Sequence, residues 1–171
     1  AAVGPRPALA AARGSPRVLR QFVECGVLAG MALLLASRLT RPAADRRIGG
    51  LGLALVVAVV VAAAAAEAAM VPSGEWGRRL VGTNRLHCLV LVSLLALPPF
   101  VLMMAAARGG AATEPGRTGA VIGLAAGGIG AFFYAANCTD DSPLFVATWY
   151  TLAILALAAL GGVVGRRVLR W

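Results

Sequence analysis

The chain has 171 residues, 60% of them hydrophobic and only 13% charged, where ordinary soluble domains carry about 25% charged residues. That deficit excludes an ordinary water-soluble domain and points to a membrane protein. The formal net charge of +9 comes from 16 basic residues, all arginine, against 7 acidic ones. These arginines fall between apolar runs rather than along one stripe, which excludes a nucleic-acid footprint and suits helices oriented against a bilayer.

In chain order, residues 1–21 carry four arginines and no apolar centre, so they are read as a tail and not as a signal peptide. A spanning helix needs about 20 mostly apolar residues. Five stretches meet or approach that length: 22–37, which is short and carries Glu24; 48–71, with Glu67 near its end; 87–107; 119–138; and 143–165. Helices this long without a polar face are rare in soluble cores. The connections 38–47, 72–86, 108–118 and 139–142 are too short for a separate domain. The sequence therefore predicts an all-α polytopic transmembrane helix bundle over 22–165, with five spanning helices and a basic tail over 166–171.

Helix count sets which loops share a side of the membrane. One side holds Arg38, Arg41, Arg46, Arg47, Arg108, Arg117, Arg166, Arg167 and Arg170. The other holds Arg78, Arg79 and Arg85. Excess arginine marks the cytoplasmic side, so the C-terminus is expected inside. The arginines of the N-terminal tail then lie outside, against the rule.

Small residues mark the helix seams. Gly119, Gly123 and Gly127 recur every fourth residue and Ala131 continues the row, while Gly161 and Gly165 repeat the spacing. Such rows let helix backbones approach closely in lipid. Pro98 and Pro99 remove two amide donors from the third helix and are expected to kink it. Trp149, Tyr150 and Trp171 are read as interfacial anchors.

Chemistry is sparse. There is one histidine and no GxSxG, GxxxxGK[ST] or HExxH motif, so no enzyme is expected. Cys88 starts the third helix and Cys138 ends the fourth, which puts both at one membrane face, the outer one on this orientation. Two readings stand for them: packed structural thiols, or a reactive pair that forms a disulfide or binds a soft metal. With His87 and Asp140 they would offer two sulfur, one nitrogen and one oxygen donor, a set that zinc accepts. There is no CxxC spacing, and adjacent His87 and Cys88 cannot both face one metal without a local kink. No cofactor is required; zinc or another transition metal is expected only as a signal ligand. Asp140 is alternatively a cap for the last helix, and Ser142 before Pro143 fits that N-cap role best. Glu24 and Glu67 are functional candidates as ionisable residues in apolar runs, or interfacial groups near the helix ends. Ion-path or scaffold readings remain as rivals, although the polar residues gather at one face instead of crossing the midplane.

LHCLV, ALPPF, YAANCTDDSPLFVATWYTLAI and the terminal GRRVLRW resemble, as a set, the family of negative regulators of sigma F, bacterial multi-pass inner-membrane anti-sigma factors. The resemblance runs from about Pro5 to Trp171 and is densest from Leu86 onward. It implies a six-helix architecture of which this chain is helices two to six, with residues 1–21 as an external loop. It implies an extracytoplasmic-function sigma factor as partner, alongside the bilayer and without direct nucleic-acid contact. It also implies that Cys88 and Cys138 are the family's paired cysteines, implicated in sensing metal or oxidative stress. Cys25 has no role in the pattern. Asn137 stands where many members have His, which argues against a His-based metal site there.

Overall fold

The computed structural model describes residues 16–41, 47–138, 140 and 142–169. Among the described residues the regular structure is entirely helical. Helix α1 spans Pro16–Leu39, α2 Arg47–Met70, α3 Ser73–Val81, α4 Arg85–Ala107, α5 Pro115–Ala135 and α6 Pro143–Val168. One π-helical turn, Val146–Tyr150, interrupts α6 near its start. Among the described residues, five helical segments are long and apolar enough to cross a membrane.

Several boundaries differ from the sequence reading. Helix α1 begins six residues before residue 22. Val18 and Gln21 are buried, and Arg20 pairs with Glu24 one turn on, Nε to Oε1 3.4 Å, so the polar start of the run belongs to the helix. Residues 16–21 are thus not tail, and 1–15 lie outside the described residues. Helix α6 continues to Val168, so Arg166 and Arg167 occupy its last turn rather than a free tail. Arg170 and Trp171, like Arg46, Thr139 and Asp141, lie outside the described residues.

The connection 72–86 holds the nine-residue helix α3, SGEWGRRLV. It is too short and polar to stand out in a search for spans. Its Trp76 indole N–H donates to the carbonyls of Ala68 (3.1 Å) and Val71 (3.0 Å). The last carbonyls of a helix have no partner within it, so Trp76 satisfies the end of α2 and folds α3 back against it.

Helix α5 is the hub. It packs against α6, α1 and α4, and small residues on different faces make each approach possible. A Cβ on Gly119 would collide with the backbone of Gly161 and Gly165, one on Gly123 with that of Leu157 and Ala158, and one on Gly127 would meet Ile154. These three glycines form the α5–α6 seam, in the register the four-residue spacing implies. Gly128 faces Ala29 of α1, and Gly130 faces Val92 and Ala96 of α4. Helix α2 is peripheral: only Gly49, Val56 and Glu67 are buried, and Leu51, Leu55, Val57 and Val61 point outward. A helix that is apolar all round yet exposed has an apolar solvent as its natural surroundings. Helix α4 runs unbroken through Pro98 and Pro99.

Because the spans alternate in direction, the molecule has two ends. One gathers the end of α1, the start of α2, the end of α4, the start of α5 and the end of α6, with Arg38, Arg41, Arg47, Arg108, Arg117, Arg166 and Arg167. The other gathers the start of α1, all of α3, the starts of α4 and α6 and the end of α5, with Arg17, Arg20, Arg78, Arg79 and Arg85. Two buried clusters follow this division. The first, around Leu39, Phe100, Met104, Ile122 and Leu157, lies toward the arginine-rich end. The second contains all three cysteines.

Candidate functional site: a buried thiol cluster under a pinned cover

Cys88 lies on the first turn of α4, and Cys138 lies just beyond α5. Both enter one buried cluster with Cys25 of α1, Val92, Tyr134, Phe145 and Tyr150. Cys88 is fully buried, Cys138 is 1% exposed and Cys25 5%. The sequence places the pair at one end; the structure adds that neither thiol is surface-accessible, and that a third thiol belongs to the cluster. The Tyr134 and Tyr150 rings, with centroids 5.8 Å apart, pack in the same cluster as the Cys138 thiol.

The four-donor metal set does not assemble. His87 is exposed while its neighbour Cys88 is buried, because successive helical residues point about 100° apart. The Asp140 carboxylate is turned toward the residues that precede α4. Among the described residues no group of three His, Cys, Asp or Glu side chains is placed to hold a metal ion. What remains of the set is the thiols themselves.

Two carboxylates tie the cover over this cluster. Asp140 Oδ2 accepts the backbone N–H of Thr83 (2.9 Å) and of Asn84 (2.8 Å), and also Asn84 Nδ2 (3.2 Å). The Thr83 hydroxyl donates to the same carboxylate at 3.1 Å. Asp140 therefore caps the approach to α4 rather than the start of α6. Its own carbonyl accepts the Cys138 thiol at 3.4 Å, and the Asn84 carbonyl accepts the Cys88 amide at 2.7 Å. Each cysteine is thus bonded directly to one partner in the Asp140–Asn84 junction.

The second carboxylate is Glu67, 7% exposed near the end of α2. Its Oε2 accepts the Ser142 hydroxyl (2.6 Å) and the Leu144 amide (2.9 Å), and its Oε1 pairs with Arg79 Nη1 of α3 (3.0 Å). Ser142 occupies the N-cap position ahead of Pro143, as its sequence context implies, but makes no side-chain cap bond. Glu67 reaches across from α2 and supplies the carboxylate instead, where the helix N-terminus favours negative charge. No local sequence signal marks this role, since Glu67 and Leu144 lie 77 residues apart.

Gly82 and Trp149 complete the cover. Gly82 has φ +56°, a conformation that favours glycine, and a Cβ there would fall 2.5 Å from the Phe145 ring. The Trp149 indole donates to the Leu80 carbonyl at 2.8 Å. Trp149 therefore ties α6 to α3 in addition to any interfacial role.

Glu24 lines a small cavity of about 50 Å³ with Cys25, Val56 and Tyr150. Together with Glu67 it lies toward the thiol end, so the buried carboxylates do not form a row across the bundle.

Fold and site together define an all-helical protein with five spans long and apolar enough for a membrane, whose three thiols are buried together toward one end. The chain belongs to the family described as negative regulator of sigma F, which it matches over residues 1–171. It is 34% identical to the anti-sigma-F factor NrsF of Caulobacter vibrioides over 97% of this chain and 78% of that protein. It is 31% identical to the probable anti-sigma-F factor NrsF of Azospira oryzae over 88% of this chain and 70% of that one. No solved structure matches. Membership makes this chain an anti-sigma factor, and its partner a sigma factor.

Proposed function

We propose that this chain is an inner-membrane anti-sigma factor that holds an extracytoplasmic-function sigma factor inactive and releases it under oxidative or thiophilic-metal stress. The sensing groups are Cys88 and Cys138 on the outer side, with the C-terminus in the cytoplasm. The observation that carries the reading is the meeting of these two thiols, 50 positions apart in the sequence, in one buried cluster between α4 and α5. A bond or a soft metal joining them would change how α4 packs on the hub helix. Five apolar spans support the membrane location, and the larger share of arginine at the opposite end, seven against five among the described residues, supports the orientation. Signalling of this kind needs two packings only a few kcal/mol apart, one of them favoured by the modified thiols.

The test is a sigma-dependent transcriptional reporter in cells carrying the full-length protein with Cys88→Ser and Cys138→Ser. Repression without stress is expected to persist, and induction by a thiol oxidant or by a thiophilic metal salt is expected to disappear. Full induction in the double variant would refute the sensor reading.

A further inference from the structure

We propose that Asp140 is the positioning residue of the thiol pair: its carboxylate pins the cover over Cys88 and Cys138 and so sets how fast a reagent reaches them. This rests on the proposed sensing role only for its biological consequence; the gating itself is a property of the fold.

The geometry is specific. One carboxylate gathers two backbone amides, a side-chain amide and a hydroxyl from Thr83 and Asn84, 56 and 57 residues away in the sequence. Hydrogen bonds to a charged acceptor are shorter and roughly twice as strong as neutral ones. The same residue pair carries both thiol segments. The Asp140 carbonyl receives the Cys138 thiol, and the Asn84 carbonyl receives the Cys88 amide. One residue, Asp140, therefore touches the chain beside both cysteines: its carboxylate meets the turn directly before α4 and its carbonyl meets the Cys138 thiol. Gly82, directly before Thr83, approaches Phe145 so closely that no side chain fits between them. Phe145 is itself fully buried in the thiol cluster, so the clasp and the packing above the thiols are one unit. Glu67 pins the other side of the same segment through Ser142 and Leu144, and its bonds do not involve Thr83 or Asn84. Loss of Asp140 therefore releases the cover at one edge while the other stays fixed. Local opening of this kind, without global unfolding, is the usual route by which buried groups become reactive.

The experiment measures labelling rates of individual cysteines by a small maleimide, read by peptide mass spectrometry, on the full chain in isolated membranes. Wild type is compared with Asp140→Ala and Asp140→Asn. In Asp140→Ala, labelling of Cys88 and Cys138 is expected to accelerate by about tenfold or more, the loss of at least one charge-assisted hydrogen bond. Asp140→Asn, which keeps one acceptor oxygen, is expected to fall between the two. Cys25 shares the cluster but lies on α1, outside the segments that Asp140 ties, and is expected to accelerate less than Cys88 and Cys138. Unchanged rates at Cys88 and Cys138 in Asp140→Ala would overturn the proposal. So would an equal acceleration at Cys25, which would mean general loosening. In the reporter assay, the faster variants should respond to lower oxidant doses. Faster labelling with no shift in dose would leave the clasp intact as a gate and tell against the sensor reading instead.

Discussion

Replacing Gly123 with Val tests whether the α5–α6 seam holds the bundle together. A Cβ at this position would overlap the Leu157 carbonyl oxygen and sit 2.7 Å from the Leu157 carbonyl carbon and 2.8 Å from Ala158 Cα. Non-bonded carbons settle about 3.5–4.0 Å apart. All three obstacles are backbone, so no rotamer change relieves them, and the two helices must part by about 1 Å. Overpacking of this kind costs about 1–3 kcal/mol, against a gain of roughly 0.3 kcal/mol from replacing glycine in a helix. At about 2–4 °C per kcal/mol for a chain of this size, the net cost should lower the melting temperature by roughly 1–11 °C. The matched control is Gly30→Val on α1, where nothing lies within 4 Å of the added Cβ; it should melt close to wild type. The assay is thermal unfolding of the detergent-solubilised full chain, followed by circular dichroism or by the monomer peak in size-exclusion chromatography. If Gly123→Val melted no lower than Gly30→Val, close backbone packing at this seam would not be a source of stability.

Two further substitutions probe the cover. Glu67→Ala leaves the Ser142 hydroxyl and the Leu144 amide without this acceptor, while Arg79 keeps Glu75 at 3.5 Å, and should cost about 1–3 kcal/mol, visible in the same thermal assay; Glu67→Gln should cost less, because it retains an acceptor oxygen. Gly82→Ala meets both a positive φ and the Phe145 ring, so it should lower stability by about 1–3 kcal/mol and speed labelling of Cys88 and Cys138 as Asp140→Ala does. A stable, slowly labelled Gly82→Ala protein would show that the turn before α4 is not under this constraint.

The spans are legible in the sequence because a run of about 20 apolar residues is a signal contained in one segment. The seam is legible for the same reason: Gly119, Gly123 and Gly127 return to one face of a single helix, and whatever packs there must come close. That Cys88 and Cys138 share an end follows from counting consecutive helices; that they meet in one cluster there does not. Helix α3 escaped because nine residues of mixed character carry no such run, and its place depends on Trp76 finding the carbonyls of α2.

The tertiary structure alone decided what surrounds the thiols. His87 is adjacent to Cys88 in sequence and yet faces away from it, since the helix turns between them. Cys25, without a role in any local motif, enters the cluster because Gly128 lets α1 come close to α5. In sequence, Asp140 reads as a ligand or a helix cap, and Glu67 as a functional candidate in an apolar run or an interfacial charge. The backbone amides they accept lie 56 to 77 residues away, and a carboxylate reveals nothing in sequence about which distant amides it will accept. Hydrophobic length and small-residue spacing are written along one helix. Polar satisfaction is settled between helices, once packing has removed the alternatives offered by water.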